Sequence, residues 1–239
     1  MLNNKTFLAI IPARAGSKRV VNKNILDLSG KPLIYWSINA SLNSKYIDKT
    51  LVSTDSDKII EVALSYGAEV PFKRPSHLSN DYSTKEDVIN HAIDFLEKEQ
   101  QDKFDYIVYL QPTSPLRNEL HIDCAIEYIF EKKADAVVSV SKVGHPAQWS
   151  GMLPENKDMS VFIKNLDLGA RSQDLPVHYK LNGAIYICDT RKFIEAKSVF
   201  LKENIFAYEM PQNVSIDIDS KMDFIFARII LDSYPQEYL

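Results

Sequence analysis

Short apolar runs alternate with amphipathic, helix-like segments through the first 140 residues of the chain. Each apolar run is four or five residues long, which is typical of a strand that is buried on both faces. Strands that alternate with helices in this way indicate an α/β fold, with a mostly parallel sheet covered by helices on both faces. The predicted strands are residues 7–11, 50–53, 106–110 and 136–140, and the predicted helices are residues 32–42, 57–66, 84–99 and 120–132.

The pattern changes after residue 140. Residues 141–180 contain no clear long helix and are rich in polar and turn-forming residues, so we expect an excursion from the main sheet, in the form of a small β-rich lobe. The length allows one or two domains, and because no linker or repeat divides the chain we expect a single domain over residues 1–239. The later predicted strands are 183–188, 205–210 and 215–218, and the later predicted helices are 191–196 and 221–232.

Composition narrows the partners that such a fold would bind. Hydrophobic residues make up 45% of the chain, and no apolar run approaches the roughly 20 residues that a membrane-spanning helix needs. We therefore expect no membrane span. Since residues 1–6 are polar and lack the pattern of a signal peptide, we expect a cytoplasmic location. The net charge of -4 argues against a nucleic-acid partner, although a local basic loop can still bind an anionic small molecule. Cys124 and Cys188 lie in apolar segments and are expected to be buried, reduced thiols.

The first predicted strand ends in a basic loop. In open α/β sheets, ligands bind at the carboxyl ends of the strands, and Gly16 allows close approach of the backbone. A turn of exposed N–H groups with nearby Arg and Lys suits a polyphosphate, although a merely solvated basic loop fits the charges equally well. The glycine spacings of a P-loop or a dinucleotide-binding loop are absent. The four cations of the loop are Arg14, Lys18, Arg19 and Lys23.

A second loop, residues 110–117, follows the third predicted strand with the sequence Leu-Gln-Pro-Thr-Ser-Pro-Leu-Arg. Two prolines stiffen it, and Gln111, Thr113 and Ser114 offer neutral polar groups. Such groups suit the hydroxyls of a sugar. An ordinary loop held by its prolines is the alternative interpretation.

Asp217 and Asp219 alternate with isoleucines near the end of the chain. In a strand, side chains two residues apart lie on the same face, so both carboxylates would converge while the isoleucines enter the core. Two carboxylates beside phosphate groups favour Mg²⁺, which prefers a few carboxylates together with waters and phosphate oxygens. Alternatively, Asp219 or Ser220 caps the last helix, which would leave Asp217 unexplained.

Other polar residues have simpler explanations. Ser83 and Glu86 have the spacing of a capping box, so we expect Ser83 to begin the helix that follows it. The five histidines share no metal-binding spacing, and they do not reveal a catalytic triad.

In their order and spacing, these segments resemble the CMP-sialic acid synthetase family, also called acylneuraminate cytidylyltransferases, which includes legionaminate and pseudaminate enzymes. The resemblance covers nearly the whole chain. The segments that carry it are Ile11-Pro12-Ala13-Arg14-x-Gly16-Ser17-Lys18, Lys23-Asn24, Ser53-Thr54-Asp55, Arg74-Pro75, residues 110–117, Asn182-Gly183-Ala184-Ile185-Tyr186 and Asp217-Ile218-Asp219.

The resemblance implies a Rossmann-like nucleotidyltransferase fold and an enzyme that joins CMP from CTP to the anomeric hydroxyl of an acidic nonulosonic sugar, with release of pyrophosphate. It also implies Mg²⁺ as cofactor and a homodimer, with residues 143–181 and part of 182–205 as the dimerisation lobe. The alternatives are a CMP-Kdo synthetase on the same fold and a non-catalytic module that binds a sugar nucleotide.

The resemblance also implies a role for each matching residue. The residues expected to bind CTP are Ala13, Arg14, Gly16, Ser17, Lys18, Lys23, Asn24, Arg74 and Ser83. Those expected to face the sugar are Gln111, Gln148, Arg171, Lys180, Asn182, Tyr186 and Phe200. Those expected to carry catalysis are Arg14, Lys23, Asp217 and Asp219, of which the two aspartates would hold Mg²⁺.

Three departures from the family pattern concern the sugar. Gln148 stands where many relatives carry Lys, and Val199 replaces the first of two phenylalanines. Lys180 stands where a relative uses Arg, which is not an equivalent carboxylate binder. We expect Arg171 to hold the sugar carboxylate, and we expect a diacylated nonulosonate to react at least as well as N-acetylneuraminate.

Overall fold

A six-stranded mixed sheet forms the centre of the computed structural model, which describes residues 2–16, 20–164, 171 and 174–233. The strand order is β4-β1-β5-β7-β6-β8, and β2 and β3 form a separate hairpin. β1 is parallel to both β4 and β5, as predicted, whereas β7 runs antiparallel to its neighbours β5 and β6. The strands are β1 Phe7–Pro12, β2 Asp27–Leu28, β3 Lys31–Pro32, β4 Lys49–Ser53, β5 Tyr106–Tyr109, β6 Ala136–Lys142, β7 Tyr179–Asp189 and β8 Ile205–Glu209.

The helices begin and end close to the predicted residues. Pro32 is the N-cap of the first helix and so lies just outside it, whereas the sequence suggested that this proline occupies the first turn. The helix predicted over residues 84–99 is α-helical only to Phe95 and continues as a π-helical turn. The α-helices are α1 Leu33–Leu42, α2 Asp57–Ser65, α3 Lys85–Phe95, α4 Glu119–Glu131, α5 Met159–Lys164, α6 Thr190–Ala196 and α7 Lys221–Ser233.

Alternation along β1 divides the core into two layers. Phe7, Ala9 and Ile11 belong to one apolar cluster, which contains residues of α1 and α4. Leu8 and Ile10 belong to the cluster on the other face, which contains residues of α3 and α6. Because successive strand side chains point to opposite faces, a continuous apolar run in β1 requires helices on both sides of the sheet. The prediction of a sheet covered on both faces is confirmed.

The β-rich lobe predicted for the middle segment is absent from its described residues. The described part of residues 143–178 contains a 3₁₀ turn, Ala147–Trp149, and the short helix α5, and it contains no strand. Ser141 and Lys180 already pair within the central sheet, so β6 and β7 take the strand-forming residues at both ends of the segment. What remains between them is polar and rich in turn-forming residues, which form few regular pairings.

Two further sequence expectations concern thiols and membranes. Cys188 is buried, as expected, but Cys124 is exposed on α4, and both are free. Burial raises the pKa of the Cys188 thiol to about 12. Among the described residues, no helix combines the length and apolarity needed to cross a bilayer.

Candidate active site

A cleft of about 620 Å³ lies at the carboxyl ends of β1 and β5, where Pro12 and Tyr109 contribute to its wall. This is the edge at which the sequence predicted a ligand. The cleft is lined mostly by polar residues that come from separate segments of the chain. The predicted site residues on its lining are Arg14, Lys23, Asn24, Arg74, Ser83, Gln111, Asp217 and Asp219.

The basic loop after β1 is held in place by neighbouring side chains. The Asp55 carboxylate accepts a hydrogen bond from the Ala15 backbone N–H at 2.9 Å. The Asn24 side-chain amide donates to the Arg14 carbonyl at 3.1 Å, and the Arg14 guanidinium pairs with Asp81 at 2.9 Å. These contacts fix the first turn of the loop and place a cation on the cleft. Sequence reasoning assigned no role to the two aspartates.

Lys23 joins the basic loop to the acidic segment near the end of the chain. Its ammonium donates to the Ile218 carbonyl oxygen and lies 3.9 Å from an oxygen of Asp219. The side chain is only 13% exposed, so the charge is held inside the cleft and cannot swing freely in solvent. The arrangement places a cation next to a carboxylate, as a site for a phosphate and a metal ion requires.

Arg74 is almost fully buried at the inner end of the cleft. Its Nε donates to the Ser79 hydroxyl at 3.1 Å, and Nη2 lies 3.9 Å from Asp55. Burial lowers the pKa of the Arg74 guanidinium, while the nearby Asp55 charge acts in the opposite direction. Because the side chain is fixed by these contacts, it presents a rigid set of donors to the cleft.

The capping role predicted for Ser83 is wrong. Thr84 is the N-cap of α3, because its hydroxyl accepts from the Asp87 N–H at 3.1 Å and the Asp87 carboxylate accepts from the Thr84 N–H at 2.9 Å. The Ser83 hydroxyl instead donates to the His77 carbonyl at 3.1 Å and lines the cleft. Both Ser-x-x-Glu and Thr-x-x-Asp fit the sequence pattern of a capping box, and the register differs by one residue.

The side chain of Gln111 lies close to the backbone of β7 at Gly183. Gly183 has a φ of +75°, and a β-carbon there would lie 2.5 Å from Gln111 Oε1 and 3.5 Å from an oxygen of Asp217. A side chain at this position would therefore displace the amide that lines the cleft. The register of β6 against β7 also shifts here, between Val138 and Val140.

Arg117 is a buried charge that sequence reasoning left without a role. It is 1% exposed, and burial lowers the pKa of its guanidinium to about 9. Its Nε donates to the Ala184 carbonyl at 3.3 Å, and Nη2 donates to the Ser37 hydroxyl at 2.6 Å and the Gln111 carbonyl at 3.3 Å. The guanidinium thus ties α1, the loop of Gln111 and β7 together. Its place at the end of the Leu-Gln-Pro-Thr-Ser-Pro-Leu-Arg segment was the available signal.

Asp217 and Asp219 line the cleft, although the segment that carries them is not the predicted strand. Residues 215–219 form an irregular segment after a 3₁₀ turn, and the Ile218 N–H donates to the Thr113 carbonyl at 2.8 Å. Ile218 is fully buried beside Leu28, as the alternation predicted. The segment lacks strand pairing because its backbone bonds go to the Thr113 loop and not to a neighbouring strand.

The electrostatic environment of the two carboxylates differs. Burial raises the pKa of the Asp217 carboxyl, the nearby Asp219 charge acts in the same direction, and a hydrogen bond with Thr113 opposes both. Asp219 is not needed as a helix cap, because Ser220 exchanges hydrogen bonds with Asp223 at the start of α7. Of the two capping alternatives, the structure therefore selects Ser220.

Several predicted residues support the cleft without lining it. Asn182 is buried and bonds to the hydroxyls of Ser139 and Ser215. Tyr186 is buried with its ring edge-on to that of Phe200, with ring centres 5.7 Å apart. For both side chains the described contacts indicate a packing role, and their contact with a sugar stays a prediction.

The remaining predicted residues that the structure describes are not on the lining of the cleft. Ala13 is buried and Gly16 is exposed. Gln148 is partly buried in its 3₁₀ turn, and Arg171 is exposed. Lys180 lines a second cavity of about 300 Å³, which shares Asp217 with the main cleft. Ser17 and Lys18 lie outside the described residues, as does Arg19.

Thr113, one of the polar residues of the 110–117 loop, also lines the cleft, as does Lys85, which was not predicted as a binding residue. Lys85 is the first residue of α3, where the sequence shows only an ordinary helical pattern. Its ammonium lies 4.4 Å from the centre of the Phe200 ring.

Comparison with known proteins adds a family assignment to this geometry. A family model described as cytidylyltransferase matches residues 8–228. The chain is 37% identical over 223 residues to the pseudaminic acid cytidylyltransferase of Campylobacter jejuni, covering 93% of this chain and 95% of that protein. It is 39% identical over 227 residues to the CMP-N,N'-diacetyllegionaminic acid synthase of Legionella pneumophila, covering 94% and 96%.

Two further comparisons concern a longer relative and a solved structure. The chain is 39% identical over 221 residues to the N-acylneuraminate cytidylyltransferase of Streptococcus agalactiae, and it spans 51% of that protein. A solved CMP:2-keto-3-deoxy-manno-octonic acid synthetase in complex with CTP has a TM-score of 0.69 at 16% identity, and the match covers 95% of this chain and 99% of that one. At that identity the structural likeness shows the fold alone, which is the nucleotidyltransferase fold that the sequence implied.

Proposed function

The chain belongs to the cytidylyltransferase family, and we propose that it transfers CMP from CTP to the anomeric hydroxyl of an acidic nonulosonic sugar, with release of pyrophosphate. The relatives named above act, by their names, on pseudaminic acid, N,N'-diacetyllegionaminic acid and N-acylneuraminate, which are all sugars of this class. The observation that carries the proposal is the composition of the cleft. It brings Arg14 and Lys23 to the same surface as Asp217 and Asp219, at the carboxyl edge of the sheet.

The reaction joins two anions, so positioning and charge neutralisation are the main requirements. The anomeric oxygen attacks the α-phosphorus of CTP in line, the bond from that phosphorus to the pyrophosphate oxygen breaks, and the hydroxyl proton leaves. Arg14 and Lys23 hold the triphosphate and offset the charge that develops on its oxygens. Gln111 orients the sugar from the side of β7. No single side chain in the described residues stands out as the base that accepts the proton.

We propose that Asp217 and Asp219 hold Mg²⁺ beside the triphosphate. The described residues contain no group of three or more His, Cys, Asp or Glu side chains that could hold a metal ion by themselves. Two carboxylates on the cleft fit Mg²⁺, which prefers oxygen ligands and usually completes its shell with waters and substrate phosphates. When bound, Mg²⁺ would offset charge on the phosphate oxygens.

The cytidine end of CTP is assigned to Arg74, Ser83 and Asn24. All three line the cleft, and the first is rigidly held. A site that hydrogen-bonds one base rejects another base because its own polar groups are left without partners. We therefore expect CTP to be used far better than UTP or ATP.

A pyrophosphate-release assay tests the proposed function. The enzyme would be incubated with CTP and a panel of sugars that contains N-acetylneuraminate, diacetyllegionaminate, pseudaminate and Kdo. Release with the nonulosonates and little release with Kdo is the expected result. Preferential release with Kdo would select the CMP-Kdo alternative, which at present rests only on a likeness of fold. No release with any of these sugars, or equal rates with UTP, would overturn the proposal.

We also propose a homodimer, and a cytoplasmic enzyme because CTP is its substrate. The dimer is supported by apolar side chains of the middle segment that are exposed in the single chain. Met152 is 92% exposed, and Val161 and Val177 are each more than 60% exposed. Large apolar side chains that a single chain leaves exposed mark an interaction surface when they lie side by side.

A further inference from the structure

The carboxylate of a nonulosonic acid needs a cationic partner at the cleft. The resemblance assigns that role to Arg171, but this described residue is exposed and lies off the lining of the cleft. The contact that the structure gives it is a backbone bond, in which its carbonyl oxygen accepts from the Asp174 N–H at 2.9 Å. A cation that already lies inside the cleft is a better candidate.

Lys85 is such a cation. It lines the cleft from the first turn of α3, with a side chain that is 26% exposed. Its ammonium lies 4.4 Å from the centre of the Phe200 ring and 5.9 Å from that of Tyr186. A cation held over aromatic rings is partly shielded from water, which strengthens any charge-assisted hydrogen bond that it makes.

The other cations on the described lining of the cleft are held by partners at least five residues away in the chain. Arg14 pairs with an aspartate, Lys23 donates to a backbone carbonyl, and Arg74 donates to a serine hydroxyl. The charged partner of Lys85 is the next residue, Glu86, at 3.4 Å. Partly exposed ion pairs contribute little to stability, so an incoming carboxylate can replace Glu86 at small cost.

The surroundings of Lys85 suit the rest of such a sugar. The rings of Tyr186 and Phe200 stand edge to face, 5.7 Å apart, and form an apolar surface beside the Lys85 ammonium. Gln111 lines the same cleft and is pressed against Gly183, so its amide is available to hydroxyl or acyl groups. A cation, an apolar surface and a fixed amide are the three kinds of group that an acidic, acylated sugar needs.

We propose that Lys85 binds the carboxylate of the sugar substrate. The inference rests on the proposed function, since it assigns one contact of that reaction. The carboxylate is attached to the carbon that bears the reacting hydroxyl, so a cation at this position would also fix the reacting carbon. Lys85 thereby determines which acids are accepted, while Arg14 and Lys23 serve the nucleotide.

The test compares the sugar acid with its primary amide, in which a neutral carboxamide replaces the carboxylate. We expect Lys85→Met to lower kcat/KM for the acid by about ten- to a hundredfold, the usual effect of losing a hydrogen bond to a charged group. The amide should react equally well with wild type and variant, and KM for CTP should be little changed. Lys85→Arg should restore much of the preference for the acid, because it restores the charge.

Lys98→Met is the matched control, since Lys98 is exposed and pairs with Asp94 at 3.1 Å outside the cleft. It should leave the preference for the acid unchanged. The proposal is overturned if Lys85→Met raises KM for CTP instead, because Lys85 would then be a phosphate ligand. It is also overturned if Arg171→Gln abolishes the preference for the acid over the amide while Lys85→Met does not. Lys85→Gln provides the same comparison if the methionine variant does not fold. A wild-type enzyme that is inactive with every nonulosonate would refute the proposed function itself.

Discussion

At the scale of single residues, Gly183 lies where β7 passes the amide of Gln111 and the carboxylate of Asp217. Its positive φ is unfavourable for other residues, and a β-carbon would overlap with Gln111 Oε1. We expect Gly183→Ala to lower the free energy of unfolding by about 1–3 kcal/mol, the usual cost of a strained backbone conformation. Because the amide must turn away, KM for the sugar should rise more than KM for CTP. Urea unfolding and steady-state kinetics measure the two effects.

Gly144→Ala is the control for this substitution. Nothing lies within 4 Å of a β-carbon placed at Gly144, and its φ is not in the positive range. It should leave unfolding and kinetics close to those of wild type. An equally mild effect at Gly183 would mean that Gln111 relaxes without loss, and that its contact with β7 does not matter for the sugar.

Asp217 and Asp219 give the second prediction at this scale. Asp217→Asn or Asp219→Asn should leave a folded protein with kcat lowered by about two orders of magnitude or more, because a bound metal supplies several kcal/mol of charge stabilisation in phosphoryl chemistry. Neither residue is required for the cap of α7, so folding should be preserved. Circular dichroism and the pyrophosphate assay check both statements. Activity within a few-fold of wild type for both variants would show that the carboxylates are structural.

The sequence predicted several residues that line the cleft, such as Arg14, which follows a strand, and Asp217, which alternates with isoleucines. It missed Arg117, because the contacts of this residue come from α1 and β7, which are distant in the chain. It also missed Lys85, because a lysine at a helix start is indistinguishable in the sequence from a solvated one. Roles that depend on a neighbour from another segment cannot be read from local pattern.

At the scale of elements, the adjacent residues Ser83 and Thr84 at the start of α3 have different roles. Thr84 caps the helix. Its backbone N–H and its hydroxyl both donate to the Asp87 carboxylate, and these two hydrogen bonds, the backbone one first, lower the pKa of that carboxyl. Thr84→Ala should lower the free energy of unfolding by about 1 kcal/mol, the typical value of an N-cap. Ser83→Ala should leave stability unchanged and reduce activity, since Ser83 lines the cleft.

Unfolding experiments on both variants over a range of pH show which of the two residues is the N-cap of α3. The contribution of Asp87 is present at neutral pH, because its folded pKa lies below the ordinary value, and it is lost as the pH falls through that lowered pKa. Thr84→Ala should therefore reduce stability at neutral pH more than in acid. A destabilised Ser83→Ala with an unaffected Thr84→Ala would restore the cap that the sequence suggested.

Element types were easier to predict than the pairing of the elements. A short, continuous apolar run such as that in β1 indicates a strand that is buried on both faces. Residues 215–219 alternate polar and apolar side chains, which also predicts a strand, yet the Ile218 N–H bonds to the carbonyl of Thr113 in a loop. Alternation specifies which side chains enter the core, and Ile218 did so, but it does not provide a neighbouring strand.

At the scale of the whole molecule, the direction of β7 could not be predicted. Parallel and antiparallel strands that are buried on both faces have the same apolar composition, so the sequence does not distinguish them. The structure places β7 antiparallel between β5 and β6, which brings Gly183 to the cleft beside Gln111. The antiparallel strand therefore adjoins the end of the cleft at which we propose that the sugar binds.

Two groups of exposed apolar side chains in the described part of the chain are candidates for an interface. The first lies in the middle segment, where the family resemblance implies a dimerisation lobe. The second is a stripe on α7, spaced three or four residues apart so that it follows one face of the helix. The first group includes Met152, Val161, Ile163 and Val177, and the second includes Met222, Ile225, Phe226 and Ile229.

The last prediction assigns the dimer to the middle segment. Wild type should have about twice the 27.3 kDa mass of one chain in light scattering, and Val161→Glu should weaken the dimer, because a charge buried in an interface without a partner is strongly unfavourable. Leu64→Glu, at an exposed apolar residue of α2, is the matched control and should remain dimeric. If Ile229→Glu separates the subunits while Val161→Glu does not, the α7 stripe is the interface. A wild type that is monomeric at micromolar concentration would leave both groups to other partners.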